Sequence, residues 1–156
     1  MPNLTTRITE AWTSGITGVA HAFDKTVTIG NVVRYAKFEY IAETGSNRTL
    51  LEIDNALSSG DAVDGRIPLA DFKYLRIKNY SASNACEIIV ANNKSGTIHS
   101  YTKKLAALEV FELSNLAMDA HDATPLANGD TNENVQIFYA KGVGGSVNLE
   151  MIVAYA

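Results

Sequence analysis

The residues best equipped for chemistry in this 156-residue chain are three histidines, one cysteine and a few carboxylates set beside glycines. His21, His99 and His121 stand far apart, and none has a second histidine at the i+2 or i+4 spacing that builds a metal-binding face. The acidic setting Asp119-Ala120-His121-Asp122 reads as a solvated loop. Asn128-Gly129-Asp130-Thr131-Asn132-Glu133 carries calcium-loop oxygens but lacks the D-x-[DN]-x-[DN]-G order and the bidentate Glu that closes such a loop, so it reads as a polar turn. Gly144-Gly145-Ser146-Val147-Asn148 approaches the G-x-S-x-G nucleophile elbow, but its last glycine is Asn and its flanks alternate like strands. No helix pattern follows Gly142-Val143-Gly144 to receive a pyrophosphate, and no Walker-type Gly-Lys-Ser/Thr occurs. Asp61 and Asp64 have the chemistry of an acid–base pair, yet carboxylates beside glycines are ordinarily loop residues. Cys86 lies in phase with Ile88 and Val90 and reads as a small core residue with no activating base. The expectation is a protein that is not an enzyme, with no catalytic residue, no metal and no cofactor.

The elements that must carry these residues have a period of two. Val147, Leu149, Met151, Val153 and Tyr155 share one strand face, and Asn148, Glu150 and Ile152 the other. Before them, Val135, Ile137 and Tyr139 alternate with Gln136 and Phe138, and the run 141–146 supplies residues that tolerate positive φ. Together these predict a C-terminal hairpin. In 72–93, Leu75 and Ile77 face one way, and Tyr74, Arg76 and Lys78 the other. The small polar turn 79–84 follows, then an inner face of Cys86, Ile88 and Val90. Thr97–Thr102, Val32–Ala42 and Thr49–Ile53 are further strand candidates, and 58–65 is a polar loop. Leu105–Leu113 fits helix and strand about equally, and its neighbours favour strand for Val110–Leu113. Tyr74 and Tyr80 fall at positions expected on the surface.

Turn signals recur every 8–15 residues or so with no long helical pattern. The fold expected is therefore all-β: an antiparallel β-sandwich or jelly-roll-like barrel with little helix. Residues 21–156 read as one sandwich domain. Residues 1–20 read either as an N-terminal contact arm or as the first strand. In the arm reading, Leu4, Ile8, Trp12 and Ile16 are the partner contacts, because a lone tryptophan is most often a core or interface anchor.

Composition narrows the function classes. Hydrophobic residues make up 46% and charged residues 19%, which suits a folded domain rather than a disordered chain. The net charge of −4 and the lack of a basic stripe argue against a nucleic-acid partner, and Lys103-Lys104 reads as a solvated strand end. One cysteine rules out an internal disulfide framework. The opening Met1-Pro2-Asn3-Leu4-Thr5-Thr6-Arg7 lacks the apolar core of a signal peptide, and no stretch approaches the ~20 apolar residues of a spanning helix, so neither secretion nor a membrane is expected.

Asp71-Phe72-Lys73-Tyr74-Leu75-Arg76-Ile77-Lys78-Asn79, then a short turn, a second strand, the run KKLAALEVFEL at 103–113, and the closing glycine-rich stretch with strand 147–155 follow an order that resembles small virion proteins of tailed phages, especially capsid decoration (cement) proteins. Such proteins often pair a "kyLxIxN" strand with a later "kLxaGexfxL" segment. The resemblance covers roughly 66–156, and Leu108 stands where the glycine is commonly found, a departure that bears on the turn before Val110. It implies a protein made in the host cytoplasm that binds the outside of the phage head. There it would bridge major capsid protein subunits and associate with itself, by analogy as a homotrimer. Two other classes remain open: a tail or fibre module that binds a host surface glycan, and a small barrel with a ligand pocket near His99 or His121.

Overall fold

The computed structural model describes residues 3–13, 20–54, 57–60, 62, 65–94, 97–114 and 135–156; for 6–13, 20–25, 27, 93–94 and 97–99 it describes the backbone only. Among these residues there are eleven strands and no helix. They are β1 (Leu4–Thr13), β2 (Ala20–Ile29), β3 (Arg34–Ala42), β4 (Arg48–Asp54), β5 (Arg66–Pro68), β6 (Phe72–Asn79), β7 (Ala85–Lys94), β8 (Thr97–Leu105), β9 (Val110–Leu113), β10 (Ile137–Val143) and β11 (Val147–Tyr155).

A five-stranded sheet, β5-β4-β10-β7-β8, and a four-stranded sheet, β3-β11-β6-β9, enclose one apolar core. Neither closes into a barrel, so of the two expected architectures the chain takes the sandwich. Every pairing is antiparallel except the short parallel contact of β5 with β4. Three strand faces read from the sequence fill the core. Leu75 and Ile77, Cys86 and Ile88, and Met151 and Val153 are all fully buried. Burying each such aliphatic side chain is worth about 1.5–3 kcal/mol, which is why alternating strands fold onto one another.

The C-terminal hairpin does not form. β10 lies between β4 and β7, while β11 lies between β3 and β6 in the other sheet. The glycines instead allow the backbone to fold across from one sheet to the next. A side chain on Gly142 would collide with the carbonyls of Gly145 and Ala42, and Gly144 sits at φ 82°. The alternation in β10 did not say which face turns inward, and the structure decides it. Phe138 and Ala140 are buried, while Ile137 and Tyr139 are half-buried on the outer side. Phe138 brings no polar atom into the core, whereas Tyr139 would need a buried partner for its phenol.

The ambiguous segment 105–113 resolves as strand, turn and strand. Leu105 ends β8 fully buried opposite Cys86. The chain then turns and crosses to pair Val110–Leu113 with β6. In the turn, Glu109 N donates to Ala106 O at 3.3 Å, Ala106 N donates to Glu109 Oε2 at 2.7 Å, and Leu108 adopts φ 65°. The conformation a glycine would take is thus held by leucine, at 59% exposure.

β1 and β2 form a separate antiparallel ribbon that belongs to neither sheet. Its register runs from Leu4 opposite Ile29 to Thr13 opposite Ala20. Ten residues of strand span about 33 Å.

Candidate interaction surface

The outer face of the four-stranded sheet gathers charge from all four of its strands. Strand register aligns Lys37 on β3, Ile152 on β11, Arg76 on β6 and Glu112 on β9 in one row. The next row holds Glu39, Glu150, Lys78 and Val110. Glu150, inside the second row, is only 8% exposed and takes Lys37 and Arg76 from the first as partners. Its carboxylate receives Lys37 Nζ at 2.7 Å, Arg76 Nη1 at 3.2 Å and the Tyr80 hydroxyl at 3.3 Å. Arg76 reaches on to Glu112 at 3.7 Å, and the Tyr74 hydroxyl donates to Glu112 at 2.9 Å. The Lys37 hydrogen bond holds the Glu150 carboxyl below the usual carboxylate range against the cost of its burial. A carboxylate so held is ionised at neutral pH and has no proton to donate.

Above this network lies an open groove of about 520 Å³, lined by Lys37, Glu39, Ile41, Tyr80, Asn148 and Glu150 among others. Ile41 and Tyr80 are exposed on its rim, and the Lys78 ammonium sits 4.4 Å from the centre of the Tyr80 ring.

Asn79, the last residue of β6, positions that rim. Its side chain is fully buried. Nδ2 donates to the carbonyls of Asn84 at 2.9 Å and Ala106 at 3.0 Å, and Oδ1 accepts from Ser81 N at 2.9 Å. One amide therefore fixes the 80–84 turn, which carries Tyr80 to the groove, and ties it to the Leu108 turn. A second buried polar anchor is Asp71, which accepts from Ser59 Oγ at 2.5 Å and Gly60 N at 2.7 Å. Burial alone would push its carboxyl up, but the Gly60 and Ser59 hydrogen bonds outweigh it and leave the group below its ordinary value.

The opposite end of the same face is covered. Tyr74, expected at the surface, is 4% exposed because it packs with Val32 and Ala154 under Leu4 and Ile29 at the base of the ribbon. Tyr80 is at the surface, as expected. Of the four contact positions read from the sequence, Leu4 is half-buried at this base. Ile8 and Trp12 occupy β1 positions of the same parity, opposite Lys25 and His21. Ile16 lies outside the described residues.

His121, Asp61, Asp64 and the 128–133 run also lie outside the described residues, and His21 and His99 are described by backbone alone. Among the described residues, no three of His, Cys, Asp and Glu stand together as a metal site. Cys86 is fully buried, and burial pushes its thiol up to about 11. Sequence reasoning missed the Glu150 network because its members come from positions 37, 76, 80, 112 and 150 with no local motif. The one available signal was their shared outward parity on strands whose other parity is apolar.

Comparison with known proteins adds no identity: no family model, no curated protein and no solved structure matches the chain.

Proposed function

We propose that this protein decorates the head of a tailed bacteriophage, binding the outside of the shell and stabilising it by bridging major capsid protein subunits. The observation that carries this reading is the β1–β2 ribbon. It is a two-stranded unit outside both sheets, and Leu4 and Ile29 at its base pack on Val32, Tyr74 and Ala154. Such an arm can lie across a neighbouring subunit while the sandwich sits on another, because its two strands pair with each other and no described strand pairs with their outer edges. The resemblance over 66–156 supports the same reading at residue level. The strand that ends in Asn79 and the segment 103–113 form adjoining parts of one unit, and Leu108 takes the backbone conformation suited to the glycine common at that place. The acidic balance suits an exterior position better than contact with packaged DNA. Weak contacts repeated over a symmetric lattice add up through multivalency.

A tail or fibre module that binds a glycan is the second reading. It draws on the exposed Tyr80 ring beside Asn148 and Glu150 in the groove. Cryo-electron microscopy of the particles whose genome encodes the chain, with mass spectrometry of their protein bands, separates the two. Many regular copies on the head exterior, with the ribbon crossing to a neighbouring subunit, are expected. A few copies at the tail would move the assignment to receptor binding, and absence from the particle would overturn both.

A further inference from the structure

Strand β3 is an edge. It pairs with β11 on one side, and no described strand lies on the other. It is nine residues long, with no proline or glycine, and an edge with no described strand beside it is a template for pairing with another chain. Its outward side chains are Tyr35, Lys37, Glu39 and Ile41. Tyr35 is 65% and Ile41 59% exposed. The Glu39 side chain is 81% exposed, and Lys37 Nζ, 3.6 Å from it, is 46% exposed at side-chain level.

We propose that two copies of this chain associate through antiparallel pairing of their β3 edges about a two-fold axis at Phe38, joining two four-stranded sheets into one continuous sheet. The sequence of the edge selects this occupant and this register. With Phe38 opposite Phe38, Lys37 faces Glu39 of the second copy and Glu39 faces its Lys37. Tyr35 faces Ile41 and Ile41 faces Tyr35, so the two exposed apolar pairs cover each other. Sliding by one residue in each copy sets Lys37 against Lys37 or Glu39 against Glu39. Odd registers place the core face of one sandwich beside the solvent face of the other. The edge is thus self-complementary, the condition for an isologous two-fold contact. The half-buried Phe38 and Ala36 would also lose their remaining solvent contact. The symmetry is two-fold, where the phage resemblance implied a trimer, and the inference holds whether or not the protein sits on a head.

The test is sedimentation velocity over a concentration series, with far-ultraviolet circular dichroism as the check on folding. The parent chain is expected to dimerise. Glu39→Lys sets Lys37 against lysine twice, and Lys37→Glu sets Glu39 against glutamate twice. Each is expected to weaken the dimer about tenfold or more. An equimolar mixture of the two variants restores opposite charges at both positions and is expected to restore the dimer. Should Lys37→Glu fail to fold for want of its Glu150 partner, a Tyr35→Cys/Ile41→Cys variant decides instead. It is expected to yield an intermolecular disulfide dimer on oxidation, with the buried Cys86 silent. A parent chain that stays monomeric up to high micromolar concentration, a trimer, a Glu39→Lys dimer as tight as the parent, a mixture no tighter than its components, or a double-cysteine variant that does not cross-link would overturn the inference.

Discussion

Replacing Asn79 with alanine should destabilise the whole sandwich, although the residue touches no candidate ligand. Its amide makes three hydrogen bonds from a fully buried position, to Asn84 O, to Ala106 O and from Ser81 N. Each is worth about 1 kcal/mol net, and a backbone group left buried without its partner costs about 1–3 kcal/mol. Ala106 is itself exposed, and its carbonyl also accepts from Glu109 N, so water can recover part of the loss there. The sum is about 3–4 kcal/mol, which for a chain of this size lowers the melting temperature by about 10 °C. Asn79→Asp should be no better. It keeps the acceptor for Ser81 N but turns a carboxylate oxygen towards two carbonyl oxygens. Calorimetric or circular-dichroism melts of the parent and both variants measure this. An alanine variant that melts within about 3 °C of the parent would refute the reasoning, because it would mean that water replaces the amide and that the two turns hold without it.

Three further outcomes are expected. Leu108→Gly should stabilise by about 0.5–1 kcal/mol, since a left-handed leucine costs about 1–2 kcal/mol and the entropy of an added glycine returns about 0.5–1 kcal/mol; a lower midpoint in denaturant would show that the exposed leucine packs against something. Glu150 and Asp71 both have folded pKa values below their unfolded ones, so the stability they contribute is complete above the ordinary carboxylate range near pH 4 and is lost as pH falls through the depressed values. Acid titration of unfolding should therefore be shallower in Glu150→Gln and Asp71→Asn than in the parent, and identical acid limbs would remove both groups from the account. Cys86, pushed up to about 11 in the core, should resist a thiol reagent at mildly alkaline pH in the native protein and react once denatured; prompt native reaction would contradict the buried position.

The sequence by itself determined the all-β class, the strand positions over most of the described chain, and the inner faces of β6, β7 and β11. Period-two burial is a local property, and each of those strands carries its own record of which side is wet. For 105–113 the sequence left helix and strand nearly even, with the neighbouring strands favouring strand over Val110–Leu113. Strand partnership was decided by the tertiary structure. A glycine-rich connection between two alternating strands reads the same whether they pair or fold into opposite sheets, and the choice for β10 and β11 was made by β4, β7, β3 and β6, which are distant in sequence. The same non-local pairing set Phe138 rather than Tyr139 inward, covered Tyr74 with the ribbon's base, and drew Lys37, Arg76 and Tyr80 around Glu150. A residue's parity is written in its neighbours along the chain, whereas its partners across a sheet are set by which strands can together bury the most apolar surface.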